Sequence, residues 1–179
     1  MVLKPFYLVF ILFTLGITAQ ELPPIQNYTP IEYAAENQNW SITQSKEKYI
    51  YIANNGGLLE FNGAEWKLYQ SPNGTPLKSV KIINDRVYTG SYMEFGYWIK
   101  DEFGVLIYNS ISSKLEKPLI EDEHFWNISE FKDWVLFQSL DRIYIYNTIN
   151  ASFDILDAKT TRAAILEVEN KIYYQKIGK

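Results

Sequence analysis

An internal echo governs the reading of this sequence. Trp126-Asn127-Ile128 repeats Trp40-Ser41-Ile42 at a spacing of 86, and Val135 to Ser139 repeats Tyr49 to Ala53 at the same spacing. Ile143-Tyr144-Ile145-Tyr146-Asn147 repeats Leu58-Leu59-Glu60-Phe61-Asn62 at 85. Between these units lie four more short runs, Val80 to Ile83, Arg86 to Gly90, Gly96 to Ile99 and Val105 to Tyr108, with Val87-Tyr88 standing 37 after Ile50-Tyr51. A further unit opens at Ala163 to Val168 and continues with Lys171 to Gln175, 85 after Arg86 to Gly90. The repeat unit is therefore about 40 residues long, and each unit consists of short runs separated by polar or Gly-rich turns.

Such a unit cannot bury its own apolar faces. A sheet of four short strands has two faces and little between them, so it becomes stable only when neighbouring units cover it. A period near 40 with four strands per period predicts β-propeller blades. A β-sandwich has similar strands but gives no reason for Trp-x-Ile, the strand and its turn to return in register. The composition agrees: fourteen Tyr, ten Phe and five Trp suit pleated, half-buried surfaces. No helical periodicity of useful length is present. The expected fold is all-β: three propeller blades plus part of a fourth, each of four antiparallel strands, an incomplete ring and hence a fragment. Blades are expected at about 37–72, 77–110, 124–157 and 161–179, after a lead-in at 20–36.

Residues 1–19 read as a secretory signal. Lys4 precedes a 12-residue apolar run from Phe6 to Ile17, and Ile17-Thr18-Ala19 has the small-residue form of a cleavage site, with cleavage expected after Ala19. The run is shorter than the roughly 20 residues of a bilayer span. Export implies a periplasmic location. The chain has no cysteine, so neither a lipid-modified cysteine nor a disulfide contributes, and stability rests on packing and sheet closure. A net charge of −4 argues against a nucleic-acid ligand for this segment.

The blade motifs resemble the two-component-regulator propeller family. The residues that carry the resemblance are Trp40-Ser41-Ile42, Tyr51-Ile52-Ala53-Asn54-Asn55-Gly56-Gly57-Leu58, Phe61-Asn62-Gly63 and Trp66-Lys67-Leu68-Tyr69. Gly90-Ser91-Tyr92-Met93-Glu94-Phe95-Gly96-Tyr97-Trp98 is similar to a second-blade segment of the family's regulators that carry a triple-tyrosine domain and a LuxR-type helix-turn-helix. The resemblance spans 21–179 and departs from the pattern in two places. Blade two has Ser79-Val80 where the tryptophan motif is expected, and blade three has Leu140-Asp141-Arg142 in place of Gly-Leu. The resemblance implies a sensor domain of a membrane regulator, either of that LuxR-type subgroup or of the hybrid histidine kinases. The partners it implies are the remaining blades, a triple-tyrosine domain, a membrane helix anchoring the protein in the inner membrane, and a second copy of the regulator.

In a propeller the loops joining second to third strands, and blade to blade, gather at one end near the axis, where a rigid scaffold presents them. Candidate ligand contacts are therefore Asn54 and Asn55, Tyr92 and Glu94, and Asp141 and Arg142. Gly and Asn at 54–57 also suit a plain turn, and Tyr92 also suits packing between blades. The recurring Trp40, Trp66, Trp98 and Trp126 are expected in the core between blades, with Trp134 on a hairpin. His124 is the single histidine and follows Glu121-Asp122-Glu123. One histidine without cysteine makes no zinc site, and the acidic trio lacks a Gly-turned calcium loop, so a solvated acidic loop is expected, without metal or cofactor. No nucleophile-elbow pattern is present and no carboxylate pair is singled out. The expected function is an exported, non-catalytic ligand-sensing domain for a small molecule, glycan or peptide. The alternatives are an exported propeller-fold polysaccharide lyase or glycoside hydrolase, and an adhesion or scaffold module.

Overall fold

The structure is a computed structural model and describes residues 24–178. The expected signal segment and the first residues of the lead-in, at 20–23, lie outside the described residues. No helix among those described is long and apolar enough to cross a membrane.

Among the described residues, fourteen strands fall into the units announced by the repeat. Blade one comprises β1 (Asn39–Gln44), β2 (Ile50–Asn54), β3 (Gly57–Phe61) and β4 (Trp66–Gln70). Blade two comprises β5 (Ser79–Ile83), β6 (Arg86–Gly90), β7 (Phe95–Lys100) and β8 (Leu106–Ser110). Blade three comprises β9 (Asn127–Phe131), β10 (Trp134–Gln138), β11 (Arg142–Asn147) and β12 (Phe153–Asp157), and a hairpin of β13 (Ile165–Val168) and β14 (Lys171–Tyr174) follows. Each blade is an antiparallel meander in chain order. The strand β12 joins blade three beyond the three runs read from the repeat.

The core is divided into layers between blades, as period-2 alternation requires. In β6, Val87 packs toward blade one with Tyr51, Leu58, Trp98 and Leu106, while its neighbour Tyr88 packs toward blade three with Phe95, Phe137 and Tyr144. In blade three Phe137 and Tyr144 take that side, whereas Leu136 and Ile143 face the β13–β14 hairpin with Ile165 and Ile172. Rings do most of the filling: Phe95 stacks on Phe137 with centroids 4.4 Å apart and meets Phe125 edge-on at 4.6 Å.

The first strand of each unit packs against the next first strand, β1 on β5, β5 on β9 and β9 on β13. Side chains stitch them directly: Ser41 Oγ donates to the Val80 carbonyl at 3.4 Å, Ile82 N–H donates to Thr43 Oγ1 at 3.4 Å, and Ser79 Oγ donates to the Phe125 carbonyl at 2.8 Å. These strands therefore converge on a common axis, and the start of each lies at one end of it, beside the turn that joins the second and third strands.

That turn is set by sequence in blade one. Gly57 has φ 139°, and a Cβ there would lie 2.1 Å from the Tyr69 carbonyl oxygen, so only glycine fits. Elsewhere two-residue hairpins take the left-handed conformation at both central positions, Asn84-Asp85 (φ 46° and 62°) and Glu169-Asn170 (φ 50° and 61°).

The lead-in has a structural role. A short helix α1 (Pro30–Tyr33) starts with proline at its first position, where no N–H is needed. It brings Tyr33 against Trp66 at 5.8 Å, and Tyr28 lies 5.3 Å from both Phe61 and Trp66. Of the tryptophans expected between blades, Trp98 is there, 4% exposed. Trp66 instead packs under the lead-in, and Trp134 follows the β9–β10 hairpin and stacks on Phe131 at 6.0 Å.

Candidate functional site

The expectation for Trp40 and Trp126 is overturned, and the reason is positional. Both stand at the axial start of a first strand, where no neighbouring blade face remains to cover them, and Trp40 is 42% exposed. The two rings meet edge to face with centroids 5.7 Å apart. Blade two puts Lys78 in the matching place, immediately before Ser79-Val80, and its ammonium lies 3.7 Å from the Trp40 ring centroid and 5.4 Å from that of Trp126. Three blades thus place Trp, Lys and Trp together at the mouth of the axis. Among the described residues Lys78 has no carboxylate partner. Desolvation between the rings pulls its pKa down.

The ring cluster continues sideways. His124 lies 5.5 Å from Trp126 and 5.0 Å from Tyr92, and Tyr92 and His124 pair as an isolated antiparallel bridge. Burial, and after it the nearby Lys78 charge, lowers the His124 pKa. Its Nδ1 is buried without a hydrogen-bond partner. Tyr92 donates its hydroxyl to Asp122 Oδ1 at 2.8 Å, and that bond raises the phenol pKa. The Tyr92 carbonyl accepts from Asn73 Nδ2 at 2.7 Å, which fixes the loop. The result is a band of four rings, Trp40, Trp126, His124 and Tyr92, with a cation at the axial end and the Asp122 carboxylate at the outer end.

The residues proposed from sequence scatter. Asn54 is fully buried: its Nδ2 donates to the Glu36 carbonyl at 2.6 Å and to Asn39 Oδ1 at 2.7 Å, and its Oδ1 accepts from Gly56 N–H at 2.8 Å. It ties the lead-in to the turn and has nothing left for a ligand. Asn55 stays on the axial face, where its Oδ1 accepts from Trp40 Nε1 at 2.8 Å and orients that ring. Tyr92 belongs to the band. Glu94 turns inward, and its Oε1 accepts from Tyr108 at 2.9 Å, Ser110 at 2.9 Å and Ser112 at 2.6 Å. In blade three the turn closes on the Ser139 hydroxyl, which accepts from the N–H groups of Asp141 (3.1 Å) and Arg142 (2.9 Å). The Arg142 guanidinium reaches outward to Asp157 at 3.2 Å. Asp141 remains half-exposed on the face.

The acidic run before His124 is not a solvated loop throughout. Glu121 and Asp122 are exposed, but Glu123 is 1% exposed and accepts from Ile120 N–H (3.0 Å), Ser139 Oγ (2.7 Å) and Tyr144 OH. A buried carboxylate is tolerated because it is fully hydrogen-bonded, and here it ties the blade-two-to-three connection to blade three. Glu60 does the same between blades one and two, accepting from Tyr51 (3.1 Å) and Tyr69 (2.9 Å) and pairing with Lys100 at 2.7 Å.

Sequence reasoning missed Lys78 as a site residue. Its signal was present, because Lys78 stands in register with the two tryptophans once the following Ser-Val is aligned with Ser-Ile and Asn-Ile.

Four-stranded units packed face to face about an axis, with a ring-lined mouth at one end, define a β-propeller module. Among the solved structures the chain resembles are two of the extracellular domain of BT4673 from B. thetaiotaomicron, described in one as a one component system and in the other as a hybrid two component system. The first has a TM-score of 0.58 and 18% identity over 75% of this chain and 19% of that one. The second has the same TM-score and identity and covers 75% of this chain and 18% of that one. The chain therefore spans about a fifth of the length of these structures, and at this identity the likeness is one of fold. It is the fold that the two-component-regulator propeller motifs lead one to expect. No protein-family model matches the chain, and no curated protein matches it.

Proposed function

We propose that this chain is the exported, ligand-sensing propeller part of a bacterial membrane regulator, and that its ligand binds at the axial mouth. The observation that carries this reading is the convergence of Trp40, Lys78 and Trp126 from three blades on one half-open surface. Half-exposed rings gathered from several blades on one surface suit ligand contact, and loops on rigid blades suit recognition. The fold likeness to extracellular domains of one and two component systems supports the setting, with the chain in the periplasm and its output elsewhere in the protein. Signalling then requires a ligand that binds two arrangements of the ring, or of a homodimer, with different affinity. A non-catalytic role is supported by the use of Glu60, Glu94 and Glu123 as internal hydrogen-bond acceptors.

Thermal-shift screening of the chain against small molecules, glycans and peptides tests the site. A hit whose stabilisation disappears in Trp126→Ala supports the reading, and hits that are indifferent to Trp126 and Tyr92 contradict it. The coding sequence downstream of Lys179 tests the setting. A membrane helix followed by a helix-turn-helix or a kinase supports the sensor, and a stop soon after ring closure supports the lyase or hydrolase alternative.

A further inference from the structure

We infer that Asn62 is a site of spontaneous modification, its side-chain amide passing through a cyclic imide to an aspartyl or isoaspartyl residue. The fold selects it from the three Asn-Gly pairs of the chain, Asn55-Gly56, Asn62-Gly63 and Asn73-Gly74. In this reaction the backbone nitrogen of the following residue gives its proton to hydroxide or water and attacks the Asn Cγ. The side-chain nitrogen takes up a proton and leaves as ammonia, and water then opens the imide at either carbonyl. No oxidant or cofactor enters the balance. Glycine permits the attack because no Cβ crowds the nitrogen. The three pairs share that advantage in an unfolded chain, so a difference between them in the folded chain comes from the structure.

Two of the pairs have the nucleophile tied up. Gly56 N–H donates to Asn54 Oδ1 at 2.8 Å, and the Asn55 side chain is held by Trp40 Nε1 at 2.8 Å. Gly74 N–H donates to the Ser71 carbonyl at 3.2 Å, and the Asn73 amide that would leave donates to the Tyr92 carbonyl at 2.7 Å. A proton shared with an oxygen is harder to remove, and the bond must break before nitrogen and Cγ approach.

Asn62 and Gly63 lie in the turn between β3 and β4. Gly63 N–H has no hydrogen-bond partner among the described residues, and 62–65 are exposed to water. Gly63 has φ 99° and no atom within 4 Å of its Cβ position, so its peptide turns without collision. Asn62 Oδ1 accepts from the N–H groups of Ala64 at 2.9 Å and Glu65 at 2.8 Å. These donors polarise the Cγ carbonyl and stand where negative charge gathers as the nitrogen adds, as in the stabilisation of acyl-transfer intermediates. Asn73 Oδ1 has comparable donors in Thr75 N–H at 3.2 Å and Thr75 Oγ1 at 2.7 Å, so the contrast between these two pairs rests on the nitrogen atoms.

The product bears on packing. Phe61 and Trp66 are cross-strand partners at this turn, their rings stack 4.5 Å apart, and Tyr28 of the lead-in lies 5.3 Å from both. An aspartyl residue keeps the acceptor for Ala64 and Glu65. An isoaspartyl residue routes the main chain through the former side chain, lengthens the turn and loosens the hairpin on which the lead-in sits.

The chain is incubated in mildly alkaline buffer, folded and in urea, and mapped by peptide mass spectrometry with isoaspartyl methyltransferase labelling. In the folded chain Asn62 is expected to convert about tenfold or more faster than Asn55 or Asn73, the scale of one hydrogen bond retained on the nucleophile. In urea the three rates draw together, with Asn62 little changed and the other two accelerated. Asn62→Gln is expected to abolish conversion at this turn and to leave the slow rates of the other pairs as they were. Conversion of Asn55 or Asn73 as fast as Asn62 in the folded chain overturns the inference. So does an Asn62 that converts in urea but is as inert as the others when folded.

Discussion

Trp40 and Trp126, 86 positions apart in sequence, meet edge to face with ring centroids 5.7 Å apart, and Lys78 lies over the first of them. The contact exists because the first strands of successive blades converge, so residues at the same place in each repeat become neighbours in space. Repetition in the sequence thereby turns into a surface built from three blades, the surface proposed for recognition.

Because Trp40 is 42% exposed, its removal costs little stability. Trp40→Ala is expected to lower the unfolding free energy by about 1 kcal/mol, the scale of an exposed cation–π contact and partial ring burial. Phe137→Ala, at a fully buried ring stacked on Phe95, is expected to cost about 3–5 kcal/mol. Urea unfolding of the two variants checks the contrast, and equal losses would place Trp40 in the core after all.

Gly57 gives a sharper test of the blade-one turn. With φ 139° and a Cβ position 2.1 Å from the Tyr69 carbonyl oxygen, Gly57→Ala is expected to destabilise by about 2–4 kcal/mol. Gly74→Ala, with no neighbouring atom within 4 Å of its Cβ position and φ 71°, is expected to cost about 1 kcal/mol, from backbone strain alone. Similar midpoints for the two variants would refute the close approach.

The buried carboxylates are expected to respond unequally to loss of their partners. Glu60→Ala leaves the Tyr51 and Tyr69 hydroxyls without their acceptor inside the first blade interface, at a cost of about 2–4 kcal/mol. Lys100→Met removes an ammonium whose side chain is 36% exposed, and about 1 kcal/mol or less is expected. Chemical denaturation of both variants measures the difference, and a larger loss for Lys100→Met would show that charge pairing, and not hydrogen-bond satisfaction, holds the interface.

Alkaline pH should unfasten blade three through Tyr144. Burial, and then the hydrogen bond to Glu123, pushes this phenol from 10.0 up to about 12. A folded-state pKa above the unfolded value means that the stabilisation is complete below pH 10 and is lost as pH rises through about 12. Tyr51 and Tyr108 are raised as well, chiefly by burial, and add to the same alkaline loss. Tyr144→Phe is expected to be less stable at pH 8 by about 1–3 kcal/mol, because Glu123 loses a donor, and to lose less stability than the parent between pH 10 and 12. Parallel pH profiles for the two proteins would contradict the assignment.

The blades were legible because alternation and repeat spacing are properties of the chain alone. Val87 and Tyr88 had to face opposite sides of a strand, and the structure puts them in separate inter-blade layers. The mouth was less legible. Trp40 and Trp126 carry the same pattern as a core tryptophan, and only the position of the strand start relative to the axis decides that they stay half-open. Asn54 and Glu94 have the residue types of a contact loop, yet their exposure depends on which hydrogen-bond donors the fold brings within reach, among them Ser110 and Ser112 sixteen and eighteen positions away. Glu123 was hidden for the same reason, since its partners Ser139 and Tyr144 lie on blade three.

The starts of the first strands of three blades meet at one mouth. Proton NMR of the chain measures it through Lys78, whose terminal methylene protons lie beside the Trp40 ring when the ammonium is 3.7 Å from its centroid. A ring-current shift of those protons to high field is expected in the parent protein, abolished in Trp40→Ala and reduced in Trp126→Ala. Lys78 methylene protons at ordinary lysine positions in the folded parent, unchanged by either substitution, would contradict it.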